Sequence, residues 1–344
     1  MDCTEIRRQY TAGEGDFRLV DLSKLQSEYI AGERNFQQVK LPGESLVWAN
    51  LTEANLSEAN LSKAKLCSAI LKGTNLRKAN LKGALLRAAD LSSTDLSGAN
   101  LSGADLSRAD LLDTNLHGAN LSGANLSQVK LKQVNLSEAN LKAANLSGLD
   151  LSEANLSGAN LVGANLDGAN LCGANLQRAN LRGLELNHHD LSGADLSGAN
   201  LSETKLNEAT LYGTNLNGAN LSEADLNEAN LSGATLCQSN LSEANLSEAQ
   251  LKWADLSKTN AEAANLSKAD LSQAKLDEAN LYRAKVTNVQ LNQAELAEGV
   301  VPYTPVTNVT SKTIYRQRIN PFLSRRVSSF LERNGKRADA KISG

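Results

Sequence analysis

Leucine recurs every five residues in 49 of the 51 consecutive pentads from Leu46 to Leu296, the exceptions being Ala261 and Val286. Around each leucine the unit reads Ala-(Asn/Asp)-Leu-Ser-x, as in Ala154-Asn155-Leu156-Ser157-Gly158. Five residues fit neither regular element. In an α-helix they advance about 500°, so successive leucines rotate by roughly 140° and share no face. In a flat strand an odd spacing sends successive leucines to opposite sides. All the leucines can face one interior only if the chain bends by a similar angle in every pentad. A quarter-turn per pentad closes a square after about 20 residues, and successive squares stack as parallel strands roughly 4.8 Å apart. The outcome is an all-β solenoid.

The other pentad positions agree. Leucine and the alanine two places before it share the inward side of a short strand, and the Asn or Asp between them points outward. The two residues after the leucine make the corner. Glycine is frequent at the second corner position, as at Gly98, Gly103, Gly118, Gly123, Gly158, Gly163 and Gly168. A tight turn there calls for positive φ.

The tandem A(D/N)LXX pattern resembles the pentapeptide-repeat family across residues 36–298. That resemblance implies a right-handed, quadrilateral parallel β-helix, here of about 13 coils, and a rod roughly 60 Å long at the strand spacing. It implies no single activity, because one scaffold serves many functions. The opening residues also resemble the starts of cyanobacterial members.

Both ends read as short helical caps against edge-to-edge pairing. Residues 1–35 form an N-terminal cap and an irregular first coil. There Tyr10-Thr11-Ala12-Gly13-Glu14 recurs 19 residues later as Tyr29-Ile30-Ala31-Gly32-Glu33. The β-helix then runs over 36–298, a linker with two prolines over 299–319, and a basic amphipathic helix and tail over 320–344. Asn320-Pro321 reads as an N-cap followed by proline at the first helical position. Leu323, Val327, Phe330 and Leu331 follow at helical spacing, and with Phe322 they are the candidate end-capping or dimer contact. Three roles remain open for this helix: a cap on the last coil, a homodimer contact, or a membrane or nucleic-acid contact.

Little of the chain can do covalent chemistry. The histidine cluster His188-His189-Asp190 alternates corner and interior positions, so its side chains diverge, and no further ligand lies at a suitable spacing for zinc. The glycines recur as Gly-Ala-Asn without a phosphate-binding loop. No cofactor, metal site or enzymatic activity is expected. From the polar, charged start Met1-Asp2-Cys3-Thr4-Glu5 and the lack of a long apolar run, no signal peptide and no transmembrane segment are expected. Cys67, Cys172 and Cys237 fall at corners of different coils, so a reduced, cytoplasmic setting is expected.

Charge is where the chain departs from its own repeat. The net charge is −3, yet Lys312 to Lys341 carries nine basic and two acidic residues, leaving −10 elsewhere. Residues 201–250 hold seven acids against Lys205. In the 20-residue frame Glu203, Glu223 and Glu243 stack at one corner, and Glu208, Glu228 and Glu248 at the next. With Asp225 these are the candidate partner-binding residues. The bland alternative is a solvated surface kept soluble by its charge. The functional expectation is a non-enzymatic, regulatory scaffold that docks a protein partner on flat, partly acidic walls. A second reading follows from the family's quinolone-resistance members: a DNA mimic that binds a type II topoisomerase, gyrase. A third is a membrane-associated adaptor acting through the C-terminal helix. Direct nucleic-acid binding is not expected of the coil, because its early lysines and arginines are spread over all four faces.

Overall fold

In the computed structural model, which describes residues 35–131, 134–296 and 314–315, residues twenty apart pair as parallel bridges, from Asn35↔Asn55 through to Lys275↔Glu295. Every bridge falls at the position between alanine and leucine. Each wall contributes one bridged residue per coil, not the short strand that the alternation suggests. The chain is therefore a coil that turns at every pentad and stacks on itself after four.

Backbone hydrogen bonding explains the consensus residue by residue. Leu51 N donates to Ile70 O at 2.7 Å and Glu53 N to Lys72 O at 2.8 Å, both in the following coil. Asn75 N donates back to Ala54 O at 2.9 Å, and Ala54 N closes the turn on Leu51 O at 3.0 Å. That leaves the first corner amide without a carbonyl, and a polar backbone group away from water needs a partner. The Asn side chain supplies it: Ser57 N donates to Asn55 Oδ1 at 3.2 Å. Asn55 Nδ2 in turn donates to Asn35 Oδ1 at 2.9 Å, one coil away. The Asn/Asp side chain, expected simply to point outward, folds back over the corner and ties successive coils together. Where Lys205 and Thr235 take its place, the preceding coil substitutes. Asn207 N then donates to Asn187 Oδ1 and Cys237 N to Asn217 Oδ1, each at 3.0 Å.

The interior is a column of leucine and alanine, nearly all fully buried between Val39 and Ala294. Thr74, Thr94 and Thr114 stack in one interior column, and their hydroxyls donate to Leu51 O, Leu71 O and Leu91 O at 2.8, 2.7 and 2.8 Å. Each such bond reaches one coil back, so the inward threonines stitch the coils along the axis.

The ladder is interrupted at three places, each beside an oversized inward residue. No bridge forms between Lys130 and Asp150, Asn165 and Glu185, or Asn170 and Asp190, although their neighbours on the other walls pair normally. These are the walls where Val129, Leu149, Leu184 and His189 replace the usual alanine. A size mismatch alone does not open the ladder, because Leu149 beside Ala169 and His189 beside Ala209 leave Asp150↔Asn170 and Asp190↔Thr210 paired.

At the far end β1 (Glu295–Leu296) pairs in parallel with β2 (Ile314–Tyr315). The register, Glu295↔Ile314 and Leu296↔Tyr315, spans 19 residues instead of 20. β2 lies inside the segment read as a linker. The two expected helical caps, Asn35 apart, lie outside the described residues, as do Phe322, Leu323, Val327, Phe330 and Leu331.

Candidate docking wall

The corners decide what this rod shows to a partner. All described residues at the second corner position have positive φ, 33 of them non-glycine and 18 glycine. With the Ala N to Leu O bond closing the same turn, this is the pattern of a type II turn. An L residue in the left-handed region costs roughly 1–2 kcal/mol, so the coil carries a strain that glycine alone avoids. The fold asks this position for glycine or for tolerance of strain. It does not ask for a carboxylate.

Six glutamates nonetheless occupy adjacent corners in three successive coils. Glu203, Glu223 and Glu243 have φ of 61, 59 and 60°, and Glu208, Glu228 and Glu248 have 56, 58 and 62°. All six are exposed. The wall between the two columns carries Lys205, Asp225 and Asn245, bridged in order. Asp225 differs from the glutamates. It is half-buried, and its Oδ1 accepts from Asn227 N at 3.3 Å and Asn245 Nδ2 at 2.8 Å. One of its oxygens serves the fold while its charge faces the wall.

Among the described residues, cations meet the glutamate columns only at their ends. Arg182 Nη2 meets Glu203 Oε1 at 2.6 Å, and Lys268 Nζ meets Glu248 Oε1 at 2.8 Å. His188 Nδ1 is 3.5 Å from Glu208 Oε2. The hydrogen bond and charge of Glu203 raise the Arg182 pKa, and those of Glu248 raise that of Lys268. Among the described residues Glu223, Glu228 and Glu243 make no ion pair. The middle of each column therefore presents a carboxylate without a direct ion pair, acting on Arg182 or Lys268 only from a distance.

The histidines diverge, as their positions require. His188 is exposed at a corner. His189 is half-buried, with Nε2 2.8 Å from Leu166 O and Nδ1 3.0 Å from Asn187 O. It spans the break between the two coils. Cys67, Cys172 and Cys237 are free thiols. Among the described residues no group of His, Cys, Asp and Glu could hold a metal ion, and no helix is long and apolar enough to cross a membrane.

Sequence reasoning missed the exposed aromatics. Tyr212 and Trp253 are 57% and 61% exposed and share one corner, two coils apart. The available signal was an aromatic where the repeat places serine or glycine.

The family profile described as "Pentapeptide repeats (8 copies)" matches overlapping segments from residue 35 to residue 293. Among solved structures, the chain is similar to HetL, a pentapeptide repeat protein involved in heterocyst differentiation regulation in the cyanobacterium Nostoc sp. strain PCC 7120. The identity is 32% over 84% of this chain and 96% of that one, with a TM-score of 0.23. Rfr23, a pentapeptide repeat protein of the cyanobacterium Cyanothece 51142, is 29% identical over 32% of this chain and 86% of its own, with a TM-score of 0.27. Full-length QnrB1, a plasmid-mediated fluoroquinolone resistance protein, is 15% identical over 84% of this chain and 96% of its own, with a TM-score of 0.22. At these TM-scores the likenesses add nothing about shape. No curated protein matches the chain in a sequence comparison.

Proposed function

The chain belongs to the pentapeptide-repeat family, and from that premise we propose that it is a non-enzymatic, regulatory scaffold of the cytoplasm that docks a basic protein partner on the wall between the two glutamate columns. The coil is taken as right-handed, with about 13 turns, as family membership implies. One observation carries the assignment of the wall. Among the described left-handed corners, only these six place glutamate in register over three successive coils, at positions where glycine would serve the fold better. A strained residue kept in register over three coils, with its central carboxylates unpaired, is accounted for by what it presents to solvent. A flat wall lined by one sign of charge also steers an oppositely charged partner and raises its rate of encounter.

The test is affinity capture from host extract with the unaltered chain and with Glu203, Glu208, Glu223, Glu228, Glu243 and Glu248 all changed to lysine. Lysine already occupies left-handed corners at Lys63, Lys78, Lys258 and Lys268, so circular dichroism should be unchanged. The expected result is a partner retained by the first protein and lost from the second. Equal retention by both would remove this wall from the account.

A further inference from the structure

One wall along from the glutamate columns lies a flat face with two unlike edges. Its bridged residues are Thr210, Asn230 and Gln250, with Asp190 before them and Asp270 after. One edge is the corner of Glu208, Glu228 and Glu248. The other, about 10 Å away across three extended residues, is the corner of Tyr212 and Trp253. Both rings are largely exposed. Between them the corner has Gly213 and Gly233, where an added Cβ would meet nothing within 4 Å. The face is open, neutral along its middle and anionic on one edge, and its other edge is aromatic, with Lys252 beside Trp253 drawn to Asp270 at 3.3 Å. A large exposed aromatic pair is a usual anchor for binding, and an arginine side chain can meet both edges, pairing with a carboxylate or lying on an aromatic ring.

We propose that this face is occupied by the chain's own segment 316–341. Charge complementarity points to it. The segment has eight basic residues, six of them arginine, against Glu332 and Asp339, a net charge of +6. The wall offers it Glu208, Glu228 and Glu248, of which Glu228 has no ion pair among the described residues. The segment also contains Phe322, Leu323 and Phe330, apolar groups suited to Tyr212 and Trp253.

Position points the same way. The pairing of Ile314–Tyr315 with Glu295–Leu296 delivers the chain to the wall next to this one, about three coils or 15 Å along the axis from Gln250. Twenty-six residues can span up to roughly 85 Å, so the reach is ample. This occupancy needs no outside partner, so it stands or fails separately from docking on the neighbouring wall.

The test uses the full chain with Trp48→Phe, which leaves Trp253 as its one tryptophan. Acrylamide quenching of Trp253 is measured at low salt over a range of protein concentrations. It is repeated with Arg316, Arg318, Arg325 and Arg326 changed to glutamine, and separately with Glu208, Glu228 and Glu248 changed to glutamine. Glutamine is already accommodated at left-handed corners such as Gln238. Either set should raise the quenching constant at least two-fold, independently of protein concentration, and the unaltered tail and wall should reach the same value in high salt. Quenching indifferent to both sets and to salt would overturn the proposal and leave the face to an outside protein. An effect that grows with protein concentration would also overturn it, in favour of a second copy as the occupant.

Discussion

Replacing all six wall glutamates by glycine should make the protein more stable while abolishing partner capture. Each sits at φ between 56 and 62°, a region that costs an L residue roughly 1–2 kcal/mol. Glycine enters it freely, but its greater freedom in the unfolded chain takes back about 0.4–1 kcal/mol. The remainder is centrally about 0.8 kcal/mol per site, and about 5 kcal/mol for six. Two further effects are smaller and opposed. The exposed pairs Arg182–Glu203 and Lys268–Glu248 are lost, and such pairs contribute little. Repulsion within the two glutamate columns is relieved. Urea titration followed by circular dichroism reads the result as a rise in midpoint at unchanged slope. Gly158→Ala serves as the converse. Gly158 has φ of 68°, and an added Cβ would lie 3.4 Å from Glu138 Cγ, so that variant should lose about 1 kcal/mol. A six-glycine variant less stable than the parent would refute the strain reasoning, and with it the inference that these glutamates are kept for their charge.

Further outcomes follow from the hydrogen bonds. The amides of Leu166, Leu171, Glu185 and Asp190 have no ladder partner, unlike those of Leu161, Leu176, Asn180 and Asp195. Native-state hydrogen exchange should be at least about ten-fold faster in the first set, and His189→Ala should narrow the gap; uniform protection would contradict a broken ladder. Asn155→Ala removes the acceptor for Ser157 N, Ser157 Oγ and Asn175 Nδ2, and the donor to Asn135 Oδ1. At about 0.5–1.5 kcal/mol net per bond the loss should be about 2–3 kcal/mol by urea titration, whereas Asn155→Asp should retain more stability. Asp195, Asp255 and Asp270 have lowered pKa values. Partial burial pushes each upward, but hydrogen bonds from the serine two residues on outweigh it, helped by hydrogen bonds from Gln177 to Asp195 and Lys252 to Asp270 and by the charge of Lys275 near Asp255. A carboxyl held below its unfolded value stabilises the fold above that value and loses the contribution as pH falls through the folded one. Urea midpoints should therefore be level from pH 7 to about pH 5 and decline below about pH 4; a rise on acidification would contradict these assignments.

The period alone made the coil legible, because no other backbone path turns every fifth residue inward. The 20-residue stacking of Glu203 on Glu223 and of Glu208 on Glu228 followed from the same arithmetic. The role of the Asn/Asp position did not. Alternation reports which way a side chain leaves the backbone, and Asn155 does leave outward. It cannot report that the first corner amide lacks a carbonyl and that Oδ1 returns to meet it. The breaks at Asn165–Glu185 and Asn170–Asp190 were visible only as oversized inward residues. Whether Leu184 and His189 widen a coil or part it from its neighbour depends on the packing against Ala164 and Ala169. In the wall, Asp225 looked equivalent to the glutamates, yet its position between alanine and leucine makes it a corner acceptor as well. Tyr212 and Trp253 are not legible in the repeat, because an isolated aromatic at a corner carries no period of its own.

The most direct measurement is photo-crosslinking in host extract from two positions on opposite walls, with a photoreactive residue in place of Asp225 or in place of Thr235. Both bridge outward in the same coils, Asp225 between the glutamate columns and Thr235 across the rod. A partner docked on the acidic wall gives an adduct from position 225 and little or none from 235. Adducts of equal yield from both positions, or from 235 alone, would show that this wall is not where the partner sits.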